Sequence, residues 1–379
     1  MSLIKDFKRN ISNIPGWNTK RKIVVIESDD WGSVRTYDKD AFLKLKKYGL
    51  NVDSNHYNSF DSLESNEDLN TLFSTLKEFK DFKGNSPIFT PMCIMGNPDF
   101  SKILKSDFQN YYFQPLEETL KEYPNHDQVI NLWKTGVNEK IFFPELHGRE
   151  HVNVRRYLKI LQSHSGKEGL RYSLELKSLG ASKFKNEDYP NYLGALFPES
   201  IEEVKELHLQ IQEAGKLFFR YLGHQPNCFI APNAEEPKEL ESTLSGIGVK
   251  YLTRSKKRSY PIGNGQFKNE WNFIGRKNIH NQLIITRNCF FEPVCFGEHN
   301  HISSWVDSCL KEMEVAFFWN KPAIISSHRV NYIGNIEPEN REMGIKSLRI
   351  LIKKMISKWP EIEFLSTKQL GEIIRQNEK

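Results

Sequence analysis

Lys22-Ile-Val-Val-Ile-Glu27, running into Ser28-Asp-Asp-Trp-Gly32, is the stretch on which the fold turns. Ile23 to Ile26 are consecutive β-branched residues that leave no polar face for water. That suits a parallel strand covered on both sides rather than the half-solvated strand of an antiparallel sheet. The polar residues that end the run then lie where α/β proteins place functional groups, at a strand's C-terminal end. Working outward, similar runs recur at Ser86–Met95, Lys140–Pro144, Asn227–Pro232, Gly248–Thr253, Gln282–Arg287, Pro322–His328 and Ile362–Leu365. Between them the spacing predicts a helix over 127–135, stopped by Gly136, and one over 199–222 with Ile201, Val204, Leu207, Ile211 and Ala214 on one face. Further helices are read at 236–246, 303–316 and 341–358. Ser366 with Gln369 is a capping box that opens a last one. Strand, loop and helix in repeating order predict α/β architecture with a parallel sheet, closed or nearly closed into a barrel. Two weakly patterned stretches, 34–86 and 152–195, interrupt the repeat, and no Pro/Gly/Ser linker divides the chain. The expectation is one domain over 1–379 carrying two large insertions.

Composition narrows the function classes. Of 379 residues, 38% are hydrophobic and 27% charged, a globular balance. With 53 basic and 48 acidic residues, the net charge of +5 is too slight to imply nucleic acid. The run Arg254-Ser-Lys-Lys-Arg258 reads as a solvated loop. Cys93, Cys228, Cys289, Cys295 and Cys309 are scattered without a C-x-x-C pair and read as buried, reduced thiols. No stretch is apolar enough to span a membrane, and the first residues lack the apolar core of a secretory signal, so a cytoplasmic location is expected.

Three polar clusters sit at strand ends: Asp29-Asp30, His147 with His151, and His328. Two adjacent carboxylates are costly unless something positive separates their roles. A metal does this, with one aspartate ligating and the other free to take a proton. His-x-x-x-His is a metal-chelating separation. Together the clusters offer one carboxylate and two imidazoles for a divalent cation, with a spare carboxylate and a spare imidazole. That is the kit for metal-activated water with a separate base and acid. His299-Asn-His301 is a competing pair, read as a surface or substrate loop.

These residues resemble the polysaccharide deacetylases of carbohydrate esterase family four (NodB-like). Glu27-Ser-Asp-Asp-Trp-Gly32 is similar to the family's T-F-D-D-G, and His147-Gly-Arg-Glu-His151 to its H-S/T-x-x-H. Phe89–Gly96, Val129–His151, Phe229-Ile-Ala-Pro-Asn233 and Ile324–His328 resemble the intervening strands and the later motifs, over about residues 20–375. The resemblance implies a distorted (β/α) barrel with fewer than eight strands, here about seven parallel ones. It implies Asp29 as general base, and Asp30, His147 and His151 as ligands, usually of zinc. His328 would be general acid, and a backbone N–H near Asn233 would help hold the oxyanion. The implied substrate is an acetylated carbohydrate, with acetyl on nitrogen or oxygen. The family's arginine two residues before the proline is replaced by Ile230, so Arg287 or Arg329 would have to orient the base. No counterpart is found for the aspartate–tryptophan motif that braces the acid histidine. Trp31 is a candidate sugar platform, and the insertions would rim the pocket. The absence of a leader suggests a nucleotide-linked, lipid-linked or precursor glycan.

Three rival readings stay open. His147-Gly-Arg-Glu-His151 also spells H-x-x-E-H, the inverzincin metallopeptidase signature with Glu150 as base, although Pro144 and Gly148 disfavour the helix it needs. Alternatively, without the motif arginine, the chain is a catalytically weak glycan-binding protein on the same fold. Hydrolysis of a cyclic amide or a glycoside on a similar barrel is a third possibility.

Overall fold

The computed structural model describes residue 7 and residues 9–163, 167–180, 183–184, 187–188, 191–200, 202–262, 266–295 and 302–377. His299, His301 and Ile201 lie outside them. Nine strand segments form one all-parallel sheet: β1 (Lys22–Trp31), β2 (Phe89–Ile94), β3 (Glu145–Gly148), β4 (Cys228–Phe229), β5 (Tyr251–Thr253), β6 (Leu283–Ile285), β7 (Cys289–Phe290), β8 (Ala323–His328) and β9 (Ile362–Phe364). Their order is β6-β5-β4-β3-β2-β1-β8-β7, with β9 on the first residues of β1. The two ends of that order are one piece of chain. β6 pairs with β5 and β7 with β8, and Thr286, Arg287 and Asn288 are all that separates them. A single kinked segment therefore joins the sheet's edges, and the result is a distorted (β/α) barrel. Asn288 replaces backbone bonds lost at the kink: its Oδ1 accepts from the Ile324 N–H (2.8 Å) and its Nδ2 donates to the Pro322 carbonyl (2.9 Å).

Period-2 alternation sorts the strand residues into two cores. Ile23 and Val25 join Met92, Tyr251, Leu283, Ile285 and Ile324 inside the barrel, with Leu370 and Ile374 of the helix Thr367–Gln376 among them. Val24 and Ile26 join the larger core beneath the surrounding helices. Burial of each such side chain is worth about 1.5–3 kcal/mol, which fixes which residues face in. The same alternation carries Glu27 and then Asp29 inward above the apolar floor. The Ser366 capping box is present, with both reciprocal bonds made.

Several boundaries differ from the sequence reading for identifiable reasons. β1 does not end at Glu27 but continues through Trp31, because Asp29 pairs with His328 and Trp31 with Cys93. β3 begins at Glu145 rather than Lys140, so His147 is on the strand itself; Phe142 makes only an isolated bridge to Phe89. Gly136 does not stop its helix, which runs over Val129–Asn138. A Cβ there would lie 2.5 Å from Cβ of Phe142 and 2.9 Å from the Phe73 ring, so glycine is needed for close packing. The basic run at 254–258 is not a solvated loop. Arg254 and Arg258 are buried and paired with Glu241 and Glu236, each at 2.7 Å. Four of the five cysteines are buried, and all five are free. Among the described residues, no helix is long and apolar enough to cross a membrane.

Candidate functional site

On a regular strand, two adjacent residues cannot both point into a barrel. Asp29 and Asp30 do so because the ladder slips between Ser28 and Trp31 and Asp30 adopts left-handed backbone, φ +76°. Aspartate tolerates that region better than most residues, and such strain gathers at functional sites. Gly32 follows at φ +79°, and a Cβ there would lie 2.4 Å from the Ile94 carbonyl oxygen. The slip also sends Trp31 away from the mouth. It is fully buried, its indole donates to Ser28 Oγ (2.9 Å), and its ring packs edge-on to Phe142. Trp31 is thus a core residue and no sugar platform, which corrects the sequence reading.

Asp30 Oδ1 lies 3.4 Å from Nε2 of His147 and 3.1 Å from Nε2 of His151. The ligand atoms of all three residues lie within 4.8 Å of one another. His147 Nδ1 contacts the Ile230 carbonyl at 2.8 Å. A carbonyl only accepts, so Nδ1 carries a hydrogen and Nε2 is the ring nitrogen turned to the carboxylate. A buried carboxylate oxygen and two buried imidazole nitrogens turned to one point form a set that a divalent cation would fit. His151 Nδ1 is a buried atom without a hydrogen-bond partner. Burial would raise the Asp30 carboxyl, but His151 and His147 hold it well below the usual carboxylate range. The donor set, one carboxylate and two imidazoles with open positions, fits zinc.

Arg287 stands beside this triad, on the kink between β6 and β7. Its Nη2 and Nη1 donate to the two oxygens of Asp29 at 2.5 and 2.6 Å, and its Nε to Glu27 at 2.6 Å. Glu27 is itself fixed by the hydroxyls of Thr253 (3.0 Å) and Thr367 (2.7 Å). Burial pushes the Asp29 carboxyl up, yet Arg287 prevails and keeps it below the ordinary range. Arg329, the other candidate, does not reach Asp29. It is fully buried and locked to Asp61 (2.8 Å) and Glu64 (3.0 Å), and Glu64 in turn accepts from the Gly32 N–H. It braces the loop after β1 instead.

His328 ends β8 with Nε2 3.8 Å from Asp29. Two partners absent from the sequence reading hold the other side of its ring. Glu292, on the loop after β7, meets Nδ1 at 2.6 Å, and its second oxygen accepts from Asn331 Nδ2 at 2.6 Å. Tyr57, on the short helix His56–Phe60, brings its hydroxyl 2.9 Å from the same Nδ1 and packs edge-on to the ring. Burial would lower the imidazole, but Glu292 outweighs it and His328 is pushed up to about 10. Nothing in the chain near Glu292 or Tyr57 marks either residue; only the fold brings them together.

A cleft of about 880 Å³ contains these groups, and Tyr57, Asn58, Leu193 and Asn233 are among its walls. The segments 34–86 and 152–195 thus both contribute to it. Asn233 has left-handed backbone, φ +56°, and the neighbouring Ala234 N–H is already used on the Ala231 carbonyl (2.8 Å). Ile230 stands at the position of the family's arginine and lines the cleft with Ala231. Glu150 is not in it. Both its oxygens are held by Arg149, at 2.5 and 2.6 Å, and residues 147–151 run from strand to bend rather than along a helix. An inverzincin arrangement is therefore absent.

No family model and no curated protein matches the chain. Among solved structures it is similar to a probable polysaccharide deacetylase from Pseudomonas aeruginosa PAO1, at 9% identity and TM-score 0.48, over 93% of this chain and 91% of that one. It is also similar to Puue allantoinase, at 9% identity and TM-score 0.47, over 94% and 93%. A third likeness is to a Bacillus anthracis pseudoenzyme of the CE4 family, at 9% identity and TM-score 0.40, over 93% and 66%. At this identity and overlap, nothing about the activity of the present chain follows from them.

Proposed function

We propose that the protein is a metal-dependent hydrolase that removes acetyl groups from a carbohydrate. The observation that carries the hydrolase reading is the opposition of Asp30 Oδ1 to two imidazole nitrogens, beside a carboxylate held by arginine and an imidazole held by carboxylate. The carbohydrate part rests on the motif resemblance. Asp30, His147 and His151 would hold a divalent cation, zinc by donor type, which when bound polarises the acyl carbonyl and the attacking water. Asp29, kept ionised by Arg287, takes the proton of that water. His328 delivers a proton from Nε2 to the departing nitrogen or oxygen, while Glu292 fixes the tautomer through Nδ1. Asn233, in the same cleft, donates to the acyl oxygen.

Acetate release from acetylated chito-oligosaccharides and acetylated xylan, with added zinc or cobalt, tests this. Metal-dependent release is expected, and Asp29→Asn should keep the metal while losing roughly 10²–10⁴ of turnover, the usual worth of a general base. Bound metal without release from either glycan would sink the proposal.

Tyr57 adds a donor. The single hydrogen on Nδ1 of His328 is directed at Glu292, so Nδ1 has no lone pair left for Tyr57. Burial also holds the phenol far above its usual range, so it keeps its proton. That proton is free for a substrate oxygen beside the leaving group. Tyr57→Phe is expected to lower kcat/KM about tenfold, one hydrogen bond's worth, on a sugar acetate. An aryl acetate, which lacks neighbouring hydroxyls, should be affected much less. Equal losses on both substrates would assign Tyr57 to holding His328 alone.

A further inference from the structure

Asp29, Asp30 and the histidines account for part of the cleft. Another group of lining residues, Arg9, Ser12, Asn13, Lys256 and Asn288, is linked mainly within itself and has no part in the chemistry proposed above. The cations along the cleft differ in one respect. Arg9 faces Glu312 (2.7 Å), Arg35 faces Asp61 (3.8 Å), Arg254 faces Glu241 (2.7 Å) and Arg287 faces Asp29 (2.5 Å). Lys256 forms no ion pair among the described residues. Its Nζ donates to Ser12 Oγ (3.1 Å) and Asn13 Oδ1 (3.2 Å), both neutral and both long for bonds from a charged donor.

The surroundings do not supply the missing charge. Cys289 and Glu312 are the acidic groups that act on Lys256, but burial pushes the Cys289 thiol well up, so it keeps its proton, and the Glu312 oxygens are engaged by Arg9 (2.7 Å) and the Phe290 N–H (2.8 Å). Lys321, bonded among the described residues to the carbonyls of Gly16 (2.6 Å) and Trp17 (3.0 Å), adds a second positive charge. Burial pushes the Lys256 ammonium down to about 8. A half-buried cation in a cleft, without a counter-ion, is a cost the fold bears unless a ligand removes it.

We propose that Lys256 is the anchor of an anion subsite, and that the substrate is an acylated sugar carrying an oxyanion, either phosphate or carboxylate. Lys256 follows Thr253 by three residues, and the Thr253 hydroxyl bonds the Glu27 that fixes Arg287. Lys256 and Asp29 line the same cleft, so an anion held by Lys256 would belong to the substrate whose acyl group meets Asp29. The acyl half of this statement rests on the hydrolase proposal; the anion half does not.

Binding of glucose, glucuronate and glucose 6-phosphate to the zinc-loaded protein, followed by calorimetry, tests the subsite without turnover. At least one anionic sugar is expected to bind about tenfold or more tighter than glucose, the scale of a charge-assisted hydrogen bond. The two anionic arms separate carboxylate from phosphate as its source. Lys256→Met should abolish the preference, and Lys256→Arg should retain it. If the methionine variant does not fold, Lys256→Gln reads the same loss. No preference in the native protein, or a preference that survives Lys256→Met because the metal alone holds the anion, overturns the proposal. A chain that binds the anion yet releases no acetate keeps the subsite and loses the hydrolase reading.

Discussion

Asp30→Ala and His147→Ala are each expected to leave the purified protein with less than about a tenth of the zinc held by the native chain, since losing a ligand costs more than the 10–100-fold produced by disturbing a ligand's support. The expectation follows from how the three side chains are held. His147 is oriented by the Ile230 carbonyl, and Asp30 by a left-handed backbone that nothing but the local fold maintains. The donors are preorganised, so no remaining group can swing in to replace one that is lost. Asp30→Asn sharpens the test, because it preserves shape but removes the charge that both imidazoles face. A second readout is thermal. A ligand that binds only the folded state at about a thousandfold over its Kd stabilises by about 4 kcal/mol. Zinc should therefore raise the melting temperature of the native protein and not that of Asp30→Ala. Native zinc content in both alanine variants would remove the triad from consideration.

Much of this site is written in the chain as parity, and parts are not. Ile23, Val25, Glu27 and Asp29 alternate inward, as do Leu283, Ile285 and Arg287, and Ile324, Ser326 and His328. Counting by twos separates the two arginine candidates: Arg287 falls on the inward set, whereas Arg329 follows an inward histidine and must point out. The same counting fails at Asp30 and Trp31. The slipped register exchanges their faces, and a backbone bulge leaves no mark in residue type. Contacts of long separation are beyond such reasoning. Tyr57 meets His328 across 271 positions, from a polar segment without periodicity. Glu292 follows a two-residue strand too short to show a pattern. Gly136 reads as a helix stop because a glycine at a helix end and a glycine under two phenylalanines look alike in sequence.

Arg287→Met is expected to damage stability and turnover together, and the coupling between the two losses is what identifies the residue. One guanidinium satisfies two buried acidic side chains, Glu27 by Nε and Asp29 by both Nη atoms. Removing it leaves both without their cation in a region shielded from water, and breaking a buried pair in this way costs about 3–5 kcal/mol. Glu27 keeps the hydroxyls of Thr253 and Thr367, so the larger share of the loss falls on Asp29, which keeps no comparable donor. Freed from Arg287, the Asp29 carboxyl has only the weaker pull of His147 and His328 to set against burial, and so it rises. The base is then both misaimed and held more in its protonated form. Turnover should fall by roughly 10²-fold or more, the price of misplacing a catalytic group by about 1 Å. Arg287→Lys should recover part of the stability but little of the turnover, because an ammonium cannot serve three acceptors in a plane. Zinc content, measured in parallel, should stay near the native value, since the bonds Arg287 makes among the described residues go to Glu27, Asp29 and Ser326 and not to the triad. If Arg287→Met unfolds at the native denaturant midpoint and turns over within twofold of the native chain, Asp29 is not the base and the acid–base assignment has to be rebuilt around His328 alone.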